Sequence, residues 1–258
     1  MSNAWVRRFS PRPQARARLF CFAHAGAGAS VYRLWPSGLP ADLEVCAVQL
    51  PGRETRLHEP ALTDMNQIVE AALGALVSEF DRPFAFFGHS MGAVVAAELA
   101  HALAARGGPL PGHLVVSGRR APQCPETDPP LHRLDDADFV AELNRRYGGI
   151  PEEVLQHEEL LQLLLPALRA DLQALETSAR AQGRAALPMP LSAFGGSDDD
   201  RAQRDQLEGW GAETRGPFRV RVFPGDHFYL QPRRTELLAD LSVTLAPLLP
   251  APLPRIHA

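Results

Sequence analysis

An α/β fold with a mostly parallel central sheet is what this sequence predicts, on three observations. From Arg18 onward, short apolar runs alternate with longer amphipathic ones, the pattern of strands alternating with helices. The 258 residues are 45% hydrophobic and 22% charged, enough for one large core and in keeping with a single α/β domain. One stretch, 121–183, breaks the alternation and reads as an insertion between two strands.

The runs LFCFA (19–23) and LEVCAVQL (43–50) are apolar and bounded by turn formers, so they read as buried strands. Between Met65 and Phe80 the apolar positions recur at helical spacing, with Asp64 as the cap. PFAFFGHS (83–90) reads as a strand leading straight into a helix at 91–107, which Gly107 can end in the left-handed conformation. HLVVSG (113–118), PLSAFGG (190–196) and FRVRVFPG (218–225) complete the strand set.

The insertion opens as a Pro-rich loop and continues as helices. Residues 126–160 carry ten acidic and three basic side chains, an outer face unsuited to docking an acidic partner. ELLQLLLPALRADLQALE (159–176) has leucines nearly all round, which fits a lid wedged between solvent-facing helices and the mouth of the sheet; equally, the leucines can simply pack the insertion to itself. Pro166 is expected to kink or split that helix. Leu163 and Leu164 are the candidate substrate-binding residues on this movable wall. The domain is expected to span 18–248. A basic, mobile leader (1–17, with arginines at 7, 8, 12 and 16) precedes it and a tail (249–258) follows. Ser2-Asn3-Ala4 resembles a cloning scar, so no role is read into it.

The formal charge of −4 is too near neutral to mark nucleic acid or an anionic membrane as the main partner. All 26 basic residues are arginine, which excludes lysine-based Schiff-base and Ser-Lys chemistry. Three cysteines, Cys21, Cys46 and Cys124, two of them in strand-like runs, read as reduced thiols rather than a disulfide framework. Neither a spanning run of apolar residues nor a secretory signal is present, so a cytoplasmic protein is expected.

The strongest chemical signal is Gly88-His89-Ser90-Met91-Gly92, placed between a strand and a helix. It matches the nucleophile-elbow pattern, in which serine sits on a strained turn and side chains two positions either side would strike backbone. The hydroxyl then projects at the amino end of a helix, whose partial charge favours a developing oxyanion. A serine needs a base to take its proton and a carboxylate to hold that base. Of the histidines after Ser90, only His227, in PGDHFYL, follows a strand at a carboxyl-end loop. His89 is read as a local packing residue. For the acid, Asp198, Asp199 and Asp200 lie side by side after a strand, and Asp200 is also placed to cap a helix beginning near Arg201. Asp226 competes by sequence but adjoins His227 on a turn. The backbone amides of Ala25, in the small-residue loop HAGAG (24–28), and of Met91 are assigned to the oxyanion hole.

Several blocks together resemble the type II (editing) thioesterases of polyketide and nonribosomal peptide synthetase systems. They are LFCFAHAGAGASVYRLW (19–35), VQLPGRETR (48–56), PFAFFGHSMGAVVAAELA (83–100), HLVVSGRRAP (113–122), 159–176 and FPGDHFYL (223–230). The resemblance implies an α/β-hydrolase fold with a helical lid and the triad Ser90, Asp199 and His227, the aspartate chosen by its spacing from the glycine pair. It further implies hydrolysis of acyl thioesters on carrier-protein phosphopantetheine arms, with no metal or organic cofactor. Acyl- or peptidyl-carrier proteins are then the partners and a monomer the expected state; Arg119 and Arg120 are the first arginines to try as contacts for the acidic carrier, with structural hydrogen bonding an alternative of at least equal weight for either one. Two rivals stand beside it: a carboxylesterase or lipase-like hydrolase of small esters, and a non-catalytic carrier-binding scaffold.

Overall fold

The computed structural model describes residues 3–126, 128–148, 155–178 and 183–249. Seven strands form one sheet: β1 (Val6–Arg7), β2 (Ala17–Phe22), β3 (Leu43–Val48), β4 (Phe84–His89), β5 (Leu114–Ser117), β6 (Leu191–Gly196) and β7 (Phe218–Phe223), in the order β1-β3-β2-β4-β5-β6-β7. All pairs are parallel except β1 with β3. The chain passes from β2 to β3 on one side, then returns across β2 to β4 on the other. Loops leaving the carboxyl ends of β2 and β4 therefore diverge and open a crevice, the usual ligand position of an open parallel sheet.

The central strands are buried on both faces, which is why they read as unbroken apolar runs rather than alternating ones. With a period of two, Phe20, Phe22 and Phe86 join the core under α1 (Met65–Leu76) and α2 (Met91–Ala105). Leu19, Cys21 and Phe87 point the other way, into a second core covered by α6 (Arg234–Leu245). Asp64 caps α1 by accepting from the Gln67 amide at 3.0 Å. Gly107 follows α2 at φ +63°.

The leader differs from expectation. It is tied down: Val6 and Arg7 pair with Val48 and Ala47, and the Arg12 guanidinium donates to the carbonyls of Leu43 at 2.9 Å and Pro40 at 2.6 Å. Arg8 and Arg18 both meet the buried Glu44, at 3.2 and 3.1 Å. A buried carboxylate demands cations, and the leader supplies one. The 249–258 tail lies outside the described residues beyond Leu249.

The insertion between β5 and β6 holds α3 (Asp136–Tyr147) and α4 (Glu158–Glu176), with no strand among its described residues. Pro166 lies inside α4 without splitting it. Proline deletes one backbone bond, and the buried side chains Leu165, Ala167 and Ala170 around it supply packing that holds the helix together. Glu176 closes the insertion on itself by accepting from the amides of Leu131 and His132 at 2.8 and 3.1 Å. Between β6 and β7 lies α5 (Arg204–Glu208).

Candidate active site

The elbow forms because β4 runs into α2 with no intervening loop. Ser90 takes φ +54° and ψ −114°, a conformation costing about 1–3 kcal/mol that the surroundings must enforce. A Cβ on Gly88 would strike the Gly92 carbonyl, and one on Gly92 would strike the Phe22 carbonyl. Both positions must therefore be glycine, and this close approach brings the elbow against the end of β2.

Three loops meet at Ser90. His227 Nε2 lies 3.0 Å from Ser90 Oγ, and His227 Nδ1 lies 2.8 Å from Asp199 Oδ2. The other oxygen, Asp199 Oδ1, accepts the Arg201 amide at 2.9 Å, so the carboxylate is oriented at both ends. Among the three adjacent acids, Asp199 is buried while Asp198 and Asp200 are exposed; Asp198 accepts instead from the Ser197 hydroxyl at 3.0 Å. Asp200 does not cap a helix. The helix there is α5, three residues further on than expected, and a reciprocal box between Gln203 and Gln206 caps it. Asp226 turns away from His227 and accepts the Phe228 amide at 2.8 Å.

Behind Ser90, His227 and Asp199 stands a group of imidazoles. His89 packs as expected, with Nδ1 2.9 Å from Ser117 Oγ and its ring 5.1 Å from that of His227. Burial holds its pKa well below the ordinary value, and the neighbouring His227 and His24 act the same way. His24 is likewise held down to about 3 by burial, with His227 and Arg53 adding to the effect. Both rings are neutral at physiological pH and bring no positive charge beside His227.

The loop after β2 is a tight turn in which the Ala27 amide donates to His24 O at 3.1 Å and Gly26 takes φ +76°, the left-handed value that the third position of a type II turn demands. Above it lies a cavity of about 170 Å³, far beyond the ~10–15 Å³ that holds one water. Ser90, His24 and His227 form its floor; Leu143, Tyr147, Leu164 and Leu168 from the insertion wall it. Leu163, offered beside Leu164 from the sequence, is absent from that lining and is 48% exposed. Of the two readings offered for Arg119 and Arg120, the structure favours the structural one over an exposed rim: both are buried, facing Glu126 at 3.6 and 3.5 Å, and the Arg119 carbonyl accepts the Trp210 indole. Their position directly after β5 draws them under the insertion. Among the described residues no helix is long and apolar enough to cross a membrane.

The thioesterase domain family matches residues 17–244. The chain belongs to that family. This thioesterase is 40% identical to the gramicidin S biosynthesis protein GrsT of Aneurinibacillus migulanus over 95% of its own length and 96% of that protein's. It is 41% identical to thioesterase PikA5 of Streptomyces venezuelae, over 93% and 85%. Among solved structures, the type II thioesterase BorB from the borrelidin biosynthetic cluster superposes with a TM-score of 0.85 at 37% identity, covering 95% of this chain and 99% of that one. Its fold is that of an α/β-hydrolase, and the enzyme is a hydrolase acting on thioesters.

Some thioesterase residues at the site carried no functional signal in the sequence. Tyr147 and Leu143 reach the chamber from α3, and their position depends on how α3 packs. Tyr147 sits with its ring 5.2 Å from that of His227. Arg53, in the PGRE block, reaches across to Asp171 of α4; the block was visible, its partner was not.

Proposed function

We propose that this thioesterase removes acyl groups from the phosphopantetheine arms of acyl- or peptidyl-carrier proteins, clearing stalled or misprimed synthases, with Ser90 as covalent nucleophile, His227 as base and Asp199 as orienting acid. The observation that carries the reading is the line Asp199–His227–Ser90, at 2.8 and 3.0 Å, opening on an apolar chamber. His227 takes the serine proton as Oγ attacks the thioester carbon. The amides of Ala25 and Met91 receive the oxyanion, the latter at the positive end of α2. The imidazolium returns its proton to the departing thiol, then a water deprotonated by His227 releases the acid and frees Ser90.

A thioester at the end of an arm about 20 Å long, the reach of six residues of extended chain, lets the carrier body stay outside. The leucine walls suit an apolar acyl group and offer little to a charged one. Cytoplasm is the compartment this reading implies, in keeping with Cys21 and Cys46 standing as buried, unbridged thiols. The test compares turnover of an acyl group on a phosphopantetheinylated carrier protein with turnover of a simple oxygen ester of the same acid. Preference for the carrier thioester supports the proposal, and preference for the ester returns the small-ester hydrolase. A serine-reactive phosphonate that fails to label Ser90 would leave only the scaffold reading.

A further inference from the structure

The loop carrying Ala25 is held from outside by a buried ion pair that the triad does not use. Asp171, on α4, and Arg53, in the PGRE turn after β3, are both almost wholly buried. Arg53 Nη2 donates to Asp171 Oδ1 at 2.8 Å and Arg53 Nη1 to Asp171 Oδ2, a bidentate pairing. Asp171 Oδ2 also accepts the Gly26 amide at 2.7 Å. The same turn holds the rest of the loop: Gln49 accepts the Ala29 amide at 2.9 Å, and Glu54 accepts the Ser30 amide at 3.1 Å.

We propose that Arg53 and Asp171 are positioning residues for thioester hydrolysis, a buried clasp that fixes the turn from His24 to Ala27 and so aims the Ala25 amide; this rests on the Ser90 reading above. A type II turn and its type I counterpart differ by a flip of the central peptide, here Ala25–Gly26. With the Gly26 amide on Asp171 the flip is disfavoured, because it would turn the Ala25 carbonyl oxygen onto a carboxylate. The His24 carbonyl, held by the Ala27 amide, points into the turn, and in a trans peptide the Ala25 N–H then points the opposite way. Arg53 has a second duty. An unpaired carboxylate this near the loop would oppose negative charge gathering on the substrate oxygen, and the guanidinium neutralises it. Because Asp171 belongs to the insertion, the clasp also makes the geometry of the oxyanion loop depend on where α4 sits. Gly26 packs directly beneath Leu168 of the same helix, where a Cβ would come within 2.8 Å of Leu168 Cδ1.

The test uses the full chain carrying Arg53→Met with Asp171→Leu, an apolar replacement of similar size that avoids a lone buried charge, and Arg53→Lys as a milder variant should the first not fold. Three quantities are measured: the melting temperature, kcat and KM for a butyryl thioester of N-acetylcysteamine, and the inhibition constant of a trifluoromethyl ketone, which binds serine as a tetrahedral oxyanion. Losing one oxyanion donor outright costs about 10²–10³-fold in kcat, so a loosened donor is expected to cost roughly 10- to 100-fold. The ketone should weaken by a similar factor, with KM within about threefold. Unchanged kcat and ketone affinity in a folded variant, or a rise in KM alone, overturns the proposal. A wild-type enzyme that neither turns over the thioester nor binds the ketone would instead overturn the Ser90 reading itself.

Discussion

Removing the Ser90 hydroxyl opens no large cavity and leaves the strained backbone of the elbow as it was. Ser90→Ala is therefore expected to lower hydrolysis by roughly 10⁴-fold or more with the melting temperature within a few degrees of wild type; activity within tenfold would end the covalent mechanism. Among the three acids, only one that bonds Nδ1 can fix the tautomer in which Nε2 accepts a proton. Steady-state rates should place Asp199→Asn on the order of 10³–10⁴-fold below wild type, with Asp198→Asn and Asp200→Asn close to it. If either exposed neighbour is the crippling change, the assignment of the acid fails. Ser90 was legible because the elbow's demands are local: the glycines at 88 and 92 prevent collisions within five residues. The choice of Asp199 was not legible from the three acids themselves. Burial distinguishes them, and burial is decided by where β7 and its loop come to rest; the resemblance supplied the spacing that singled out Asp199, the acid that the structure buries against His227.

Elements followed the sequence where periodicity alone decides. The six longer strands and the helices α1, α2 and α4 lie within a few residues of their apolar runs. β1 was missed because two residues cannot show a period, and it exists only through pairing with β3. The leucine-rich helix shows a finer lesson: leucines on nearly every side fitted a helix wedged between two surfaces, yet Leu160, Leu163 and Leu164 remain exposed at 47%, 48% and 40%. Only the later half of α4, from Leu165, is packed as the composition implied. Leu164 borders the chamber while its neighbour does not. Leu164→Trp should therefore narrow the passage, reducing kcat/KM several-fold more for carrier-bound octanoyl than for acetyl, whereas Leu163→Trp should leave the ratio unchanged. Parallel hydrolysis assays across acetyl, butyryl and octanoyl carriers decide it, and a uniform loss in the Leu164 variant would make the helix merely structural.

At the scale of the molecule, histidines tie stability to acidity. Burial lowers His113 to about 4, His24 to about 3, and His89 well below its ordinary value. In the unfolded chain each takes up a proton near pH 6.5, while the folded chain resists until far lower pH. Below about 6.5 the unfolded state then binds more protons, so stability falls as pH falls toward 4. Thermal melts should be nearly level above pH 7 and decline through the 6.5–4 window, and His113→Gln should make that decline shallower; a melting temperature constant across the window would contradict these depressed values. The placement of the insertion carries a different kind of consequence. It departs from β5 and returns at β6, neighbours in the sheet, while Ser90, Asp199 and His227 ride on loops outside it. A lineage can accordingly lengthen, trim or exchange the segment without shifting any strand's register, so on the proposed function the chamber wall can change while Ser90, Asp199 and His227 keep their places. A transplanted insertion would still have to bring an acid at the place of Asp171, since the host half of that clasp stays behind on Arg53.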